Sequence, residues 1–489
     1  MTTFNYLDLL RLALPEVIVV IAALCVLSVD VMFLRTSETR LRGFVGAMLS
    51  LAGCAAAIAW ILHAPQHANV LDGMIVLNPL AQRVQIALLI LTMLTILIFI
   101  GSTFTYHVSE YLSLILLATV STMFLVSTQN LLLIFLSLEL LSLSLYILTA
   151  FNKRNVLSAE AALKYFIFGG ISAAFLLFGF SLLYGLSNST NLVSIANSIH
   201  RFPLDPLLIV AIVMTLVGLG FKVAAVPFHF WAPDVYQGAP APSAAFIASG
   251  SKLAGFFIFY QVMVVGLAGA EGNGVWHGYS SGWVPVVAII AALSMVLGNL
   301  VAILQTSVRR LLAYSAIAHA GYMLLGILSH TDQSFSALLY YAITYALTVL
   351  GAFGVVALVE EYTGGDTLSD FAGLSRRAPV PSFCMLIFLL SLAGIPPLAG
   401  FFGKFYLFSS VLSSTSGTLG LLWLVVLAIA MSAVSLYYYL LVLKYIYVAD
   451  PSNGTAPIRI SVLRQVVLCV IALSVVLLGC APNLLLHWL

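Results

Sequence analysis

Residues 218–252 read GLGFKVAAVPFHFWAPDVYQGAPAPSAAFIASGSK. Two lysines, Lys222 and Lys252, stand in a nearly continuous apolar run, and Pro227 follows the first by five residues. A proline at that spacing frees the carbonyl of Val223, one turn back, and interrupts a helix. An ammonium group in such a run is costly, whether its surroundings are a protein core or a lipid bilayer. The rest of the chain decides which. Hydrophobic residues make up 62% of the 489 and charged residues only 7%, against roughly 45–50% and 25% in globular proteins. Nineteen basic and seventeen acidic side chains cannot cover a soluble surface of this size. The same hydrophobicity, with a net charge of +2, excludes a disordered chain and a nucleic-acid-binding one. The chain reads as an all-α polytopic membrane protein.

A crossing helix needs about 20 mostly apolar residues. Fourteen such stretches follow one another, at 12–34, 41–62, 80–101, 108–126, 129–151, 158–186, 204–228, 241–266, 283–304, 308–329, 334–360, 380–410, 416–443 and 460–481. About 14 transmembrane helices are therefore expected. The first resembles a signal peptide only superficially, because Asp8 stands beside Arg11 and the apolar run exceeds an h-region; it reads as a retained helix. The longest connection, 361–379, is expected along the surface. No Walker sequence and no GxGxxG after a strand point to a nucleotide site. The cysteines, Cys25, Cys54, Cys384, Cys469 and Cys480, lie in apolar runs without C-x-x-C spacing. They read as small buried hydrophobes rather than iron–sulfur, zinc or disulfide partners.

Basic residues set the orientation. If the connection after the first span lies on side one, that side collects Arg35, Arg40, Arg42, Lys153, Arg154, Arg309, Arg310, Arg376, Arg377, Lys444, Arg459 and Arg464. Side two collects Arg11, Arg83 and Arg201. Side one is then cytoplasmic, and both termini face the other side. The four basic residues left over are Lys164, Lys222, Lys252 and Lys404, all inside apolar spans and all lysine, in a chain with more arginine than lysine. Lysine can release its proton in a desolvated site, whereas arginine cannot at accessible pH. A proton path needs groups that switch charge in this way. Glu139, about ten residues into the fifth span, is an equally deep acid. The competing reading of each is structural: a lysine that snorkels or pins two helices. It weighs most for Lys164, which stands four residues after Glu160 in an ordinary i,i+4 pair.

Prolines and spacing add to this. Pro396 and Pro397 precede Lys404 by two turns, in a span of 31 residues, 380–410. At ~1.5 Å per residue that span is too long for one straight crossing. Helices 7 and 12 are therefore expected to be discontinuous, with exposed helix ends that solvate ions; a passive proline kink is the alternative. Glu139 and Lys222 are 83 residues apart, His319 and Lys404 are 85 apart, and the two sets are offset by five spans. An odd number of spans inverts orientation. Helices 4–8 and 9–13 are thus expected to form two inverted five-helix repeats, although Val434 stands where Lys252 would recur. The chain divides into 1–107 (helices 1–3), 108–266 (helices 4–8), 283–447 (helices 9–13) and 448–489 (helix 14). His229, seven residues after Lys222, is expected on the same helical face, and His319 stands alone in AIAHAGY. Neutral imidazole can relay protons; a hydrogen-bonded packing role is the alternative. Neither histidine has the company of a metal site or a Ser/His/Asp triad.

The 218–252 stretch resembles the antiporter-like membrane subunits of respiratory complex I and the related multisubunit cation/proton antiporters. LSLELLSLSLY around Glu139, AALKYF around Lys164, RRLLAYSAIAHAGY at 309–322 and SLAGIPPLAGFFGKFYLF at 391–408 carry the same likeness. Within that family it points to subunit N of bacterial NADH-quinone oxidoreductase. Fourteen helices suit subunits N and M, the extra carboxy-terminal helices of subunit L are not expected, and a lysine at 404 rather than a glutamate is unlike M. The resemblance implies that Glu139 and Lys222 are the paired charges of helices 5 and 7. It makes Lys252 the central lysine of helix 8 and Lys404 the helix 12 lysine of the exit half-channel. Lys164, His229 and His319 become connecting relay groups. It further implies a translocase subunit that moves protons out of the cytoplasm, driven by electron transfer from NADH to quinone elsewhere in the complex. NADH, FMN, iron–sulfur clusters and quinone would belong to partner subunits, with no cofactor or metal in this chain. Its neighbours would be other antiporter-like and small membrane subunits in the bacterial inner (plasma) membrane. The alternatives are a subunit of a multisubunit sodium/proton antiporter and a structural membrane scaffold.

Overall fold

The computed structural model describes residues 10–65, 67–199, 205–273, 280–329, 331–414, 420–450, 458 and 460–489. Asp8, Arg201 and Arg459 lie outside them. The helices are α1 (Leu14–Leu34), α2 (Thr39–His63), α3 (Pro79–Phe99), α4 (Val108–Val126), α5 (Leu131–Thr149) and α6 (Val156–Ser187). A seventh follows in two halves, α7a (Pro206–Val223) and α7b (Trp231–Gly238), and then α8 (Ala241–Gly266), α9 (Trp283–Ile303), α10 (Val308–Leu328) and α11 (Asp332–Thr363). The twelfth is split into α12a (Pro379–Ala393) and α12b (Ala399–Ser414); α13 (Leu422–Tyr447) and α14 (Val462–Cys480) are the last long helices, and Leu192–Ile199 and Asn483–Leu486 are short helices outside this count. Among the described residues, thirteen helices are long and apolar enough to cross a membrane. The twelfth expected span is shared between its two halves.

Local chemistry starts these helices. The side chains of Asn78, Asn130, Asn155 and Ser307 accept hydrogen bonds from the first free amides of α3, α5, α6 and α10. Proline opens α3, α7a and α12a, where its missing N–H costs nothing. Burial sorts the bundle. α10 is 94% buried over its apolar window, whereas α1 is 22% buried and exposes most of its apolar length. α8 and α11 join α10 inside, so the lysine of α8 and the histidine of α10 start from the centre of the protein.

The connections fall on two faces, as the alternation of spans requires. Ser102, Asn152, Gly238, Arg309 and Glu360 line one cavity, and Arg40, Thr103, Glu361 and Arg464 line another on the same side. On the opposite face Gln129 donates its amide to Gly73, and Asn130 bridges Asn191.

Four features differ from the sequence expectations. A short antiparallel hairpin, Ala68–Val70 with Ile75–Leu77, adds a little β-structure to an otherwise helical chain. α8 is also interrupted, at Ser249, between Ala241–Ala248 and Gly250–Tyr260. The 361–379 connection is packed rather than merely laid on the surface: Leu368–Phe371 and Leu374–Arg377 are helical turns that bury Phe371 and Leu374. Finally, Cys25, Cys469 and Cys480 are exposed on the outer face, and only Cys54 and Cys384 are buried.

Candidate functional site

The two broken helices turn in the same way. α7a ends at Ala224, in the left-handed region with φ +58°, and α12a ends at Gly394, with φ +88°. Each is followed three residues later by a proline, Pro227 and Pro397. Their lysines stand on opposite sides of the turn. Lys222 belongs to the last turn of α7a, two residues before Ala224. Lys404 lies ten residues beyond Gly394, in α12b, and reaches back to donate to the carbonyls of Leu392 (2.9 Å) and Ala393 (3.0 Å) and to Ser432 Oγ (2.8 Å). The offset between the breaks is therefore 170 residues, not the five-span offset of about 180 read from charge spacing. On that register Lys222 corresponds to Leu392, and Lys404 to Asp234. A Cβ on Gly394 would meet Lys404 Cδ at 3.1 Å, so glycine serves both the turn and the approach of the lysine.

Lys222, Lys252 and Lys404 are 7%, 4% and 5% exposed, so all three face the protein interior. Their partners are neutral. Lys222 Nζ donates to Ser142 Oγ at 3.3 Å, and Lys252 Nζ donates to the carbonyl of Ala316. Aromatic faces complete two of the sites: Tyr345 lies 5.4 Å from Lys252 Nζ and Tyr322 lies 5.2 Å from Lys404 Nζ. These are cation–π distances. Among the described residues, no carboxylate stands within ion-pair distance of any of the three.

Glu139 is the ninth residue of α5, one turn before the Ser142 that holds Lys222. It is close enough for its charge to act on Lys222, but the two are not in contact. It is also only half-buried, whereas two other acids lie deeper. Asp30 is clamped by Arg42 at 2.7 and 2.5 Å. Glu16 accepts from the buried Gln85 amide at 2.8 Å. Depth along the sequence passes over both, because they stand near the ends of α1.

Lys164 does not join the buried row. Its side chain is 40% exposed and pairs with Glu160 (2.6 Å) and Asp234 (2.8 Å), and Asp234 also binds Arg310 (2.7 Å). The i,i+4 pair read from the sequence is present, within a network that ties α6 and α10 to α7b. His229 is buried, but not on the helical face of Lys222: α7a has ended five residues earlier, so helical spacing does not apply. Its Nδ1 has no hydrogen-bond partner.

His319 lies between Lys252 and Lys404, in a cage of tyrosines. Nδ1 is 2.6 Å from the hydroxyl of Tyr341 on α11, and Nε2 is 3.2 Å from that of Tyr439 on α13. Tyr439 is hydrogen-bonded in turn to Ser315. Asn299 ties Tyr322 and Tyr438 together, at 3.0 Å each. Sequence reading, drawn to charges, passed over these hydroxyls. One signal was available: Tyr341 stands deep in an apolar span, and a buried tyrosine hydroxyl usually finds a partner. Among the described residues, no group of three or more His, Cys, Asp or Glu gathers as a metal site would require.

Residues 128–432, which contain every group above except Tyr438, Tyr439, the acids of α1 and their partners Arg42 and Gln85, match the family described as NADH:quinone oxidoreductase/Mrp antiporter, TM. The chain is 55% identical to NADH-quinone oxidoreductase subunit N 2 of Acidobacterium capsulatum, over 100% of both chains. It is 35% identical to NADH-quinone oxidoreductase subunit N of Nitrosomonas europaea, over 97% of this chain and 95% of that one. Among solved structures it resembles a chain of respiratory complex I from Thermus thermophilus, with TM-score 0.78 and 32% identity, covering 97% of this chain and 98% of the other. A chain of the Mrp complex from Dietzia shares the fold, with TM-score 0.80 at 20% identity, covering 97% and 96%. Thirteen membrane-length helices among the described residues, a twelfth span split in two, a row of buried lysines and full-length likeness to these relatives have one reading: the chain belongs to the subunit N family of NADH-quinone oxidoreductase, the antiporter-like membrane subunits of respiratory complex I.

Proposed function

We propose that this chain is a proton-translocating subunit, driven by electron transfer from NADH to quinone in partner subunits, and that Glu139, Lys222, Lys252, His319 and Lys404 carry the proton. One observation carries the reading: three lysines buried in a membrane bundle, each held by neutral acceptors and none by a carboxylate in contact. A permanent buried charge would need a counter-ion to be tolerable. A group that alternates between charged and neutral does not need one at all times. Glu139 is the mobile half of the switch: an approach toward Lys222 favours its charged form, and withdrawal favours proton release.

Residues 108–266 and 283–447 act as two half-channels, one centred on each break. Lys164 and His229 serve at the edges, the first by anchoring α7b through Asp234 and the second by offering a free ring nitrogen beside the break. NADH, FMN, iron–sulfur clusters and quinone belong to other subunits. A neighbouring membrane subunit covers α5, where Glu139 shares its surroundings with exposed Leu132, Leu136, Leu140 and Leu143; a carboxylate left facing lipid there would be costly. The protein sits in the bacterial inner membrane with both termini on the periplasmic side, which places Arg309, Arg310, Arg376 and Arg377 in the cytoplasm. The full-length relatives named above favour this reading over a sodium/proton antiporter, whose likeness is one of fold.

The test is Glu139→Gln, which keeps the volume and removes the switching charge. In the intact complex reconstituted in vesicles, NADH-driven proton uptake is expected to fall about a hundredfold or more, the low end of what a positioned proton-transfer group contributes. Normal assembly with uptake at the parent rate contradicts the role.

A further inference from the structure

On the face that carries most of the basic residues, a cavity of about 670 Å³ opens among α2, the connection between α3 and α4, the end of α11 and the start of α14. Its size is that of a small-molecule site, roughly 300–1,000 Å³. Two arginines line it. Arg464 is anchored, with Nε donating to the carbonyl of Ile100 at 3.0 Å and Nη1 pairing with Glu361 at 2.5 Å. Arg40 is exposed and has no partner among the described residues. A third, Arg154, stands 5.5 Å from the ring of Tyr106, which also lines the cavity. Glu361 is the carboxylate in the lining and is already engaged, so the cavity keeps a net positive charge. Thr39, Val108 and Ser461, at the starts of α2, α4 and α14, line it as well, and no side chain caps these three helices. Their first amides add partial positive charge. Below the cavity the surface is apolar. α2 and α14 both pack on α3 and make little contact with each other, which leaves a groove with α3 as its floor. Phe44 of α2 and Leu463 of α14 line the cavity, and Met48 on α2 and Val466 and Val470 on α14 are exposed one to two turns deeper.

We propose that this cavity binds the phosphate headgroup of an anionic phospholipid from the cytoplasmic leaflet, with the acyl chains lying on the groove between α2 and α14. Charge complementarity selects the occupant. An unpaired guanidinium beside an anchored one meets a phosphate with directed, charge-assisted hydrogen bonds. Basic pockets between membrane helices on the cytoplasmic side take anionic headgroups in this way. The choline group of a zwitterionic lipid finds its acidic partner here, Glu361, occupied by Arg464. The apolar groove fits a ligand with acyl chains and offers nothing to a soluble phosphate. The site shares no residue with the proton path proposed above.

The test places the intact complex in nanodiscs of phosphatidylcholine that contain a small fraction of phosphatidylglycerol with a photoreactive group on one acyl chain. After illumination, mass spectrometry maps the labelled peptides. Label is expected on α2 around Met48 and on α14 around Val466. Excess unlabelled phosphatidylglycerol is expected to displace it, and excess phosphatidylcholine is not. Arg40→Gln is expected to lower the label at both helices about fivefold, the effect of losing one basic side chain at a membrane surface. Because Arg40 has no partner among the described residues, this variant is expected to assemble normally. Arg35→Gln, which removes an exposed charge of the same connection from outside the cavity, is expected to leave the label unchanged. Absence of label at these helices, equal displacement by phosphatidylcholine, or an Arg40→Gln variant labelled like the parent or no less than Arg35→Gln would overturn the proposal. Displacement by inorganic phosphate would overturn the lipid as the source and assign the cavity to a soluble anion.

Discussion

The break in α7 and the break in α12 solve one electrostatic problem from opposite directions. In α7 the lysine is part of the last turn of the first half-helix; in α12 it belongs to the second half-helix and reaches back across the turn. Lys404 Nζ ends on the last carbonyls of α12a, where the helix dipole is negative, whereas Lys222 stands in the last turn of α7a and donates to Ser142 on α5. The position in α12 that corresponds to Lys222 is Leu392, and its carbonyl accepts a bond from Lys404. The position in α7 that corresponds to Lys404 is Asp234, tied into fixed ion pairs with Lys164 and Arg310. What recurs between the two regions is a buried lysine beside a left-handed turn, supplied from opposite sides of that turn. The breaks stand 170 residues apart, whereas the charges recur at 180 to 182.

The comparison can be broken at the turns themselves. Gly394→Ala puts a side chain into the left-handed region and crowds Lys404 at 3.1 Å. It is expected to cost roughly 1–3 kcal/mol and to impair pumping as well; a thermal unfolding scan and proton uptake of the purified complex check both. Ala224→Gly is the reciprocal change, since Ala224 already carries a Cβ at φ +58°. It is expected to stabilise by about 1 kcal/mol or less, because the relief of strain is partly offset by the freer unfolded chain. A loss of stability comparable to that of Gly394→Ala would mean that the two turns are not equivalent. The smallest effect is expected for Asp234→Asn, about 1 kcal/mol or less, since the pairs it breaks are partly exposed. Pumping should persist in this variant. Impaired uptake with intact assembly would put Asp234 on the proton path and make the two breaks functionally alike.

Much of this architecture was legible in the sequence, because a membrane span is written in twenty consecutive residues and needs no knowledge of neighbours. The fourteen helices, the two breaks and the sorting of lysine from arginine all follow from local sequence. What was not legible depends on contacts between distant helices. The interruption of α8 at Ser249 has no proline to announce it. Phe371 and Leu374 are buried by other parts of the chain, although the connection around them reads as polar. His229 was misplaced because the helix stops at Val223, and a 3.6-residue period cannot be carried across a turn. Lys164 faces Asp234 from 70 residues away, a pairing that spacing on one helix does not reveal. The tyrosines around His319 come from three helices, and only the fold brings Tyr341 and Tyr439 to its two nitrogens.

The central claim is that the buried lysines act by giving up and regaining a proton, not by supplying a fixed positive charge. Lys404 tests it best, because its three partners are neutral and a fixed cation could bond them equally well. Lys404→Arg keeps the charge but cannot deprotonate, and Lys404→Ala removes both. The measurement is proton uptake per NADH oxidised by the intact complex in vesicles, for the parent and the two variants. The account predicts that arginine and alanine fail alike, with normal assembly. Full pumping by the arginine variant would contradict it, place Lys404 among structural cations and weaken the same claim for Lys222 and Lys252.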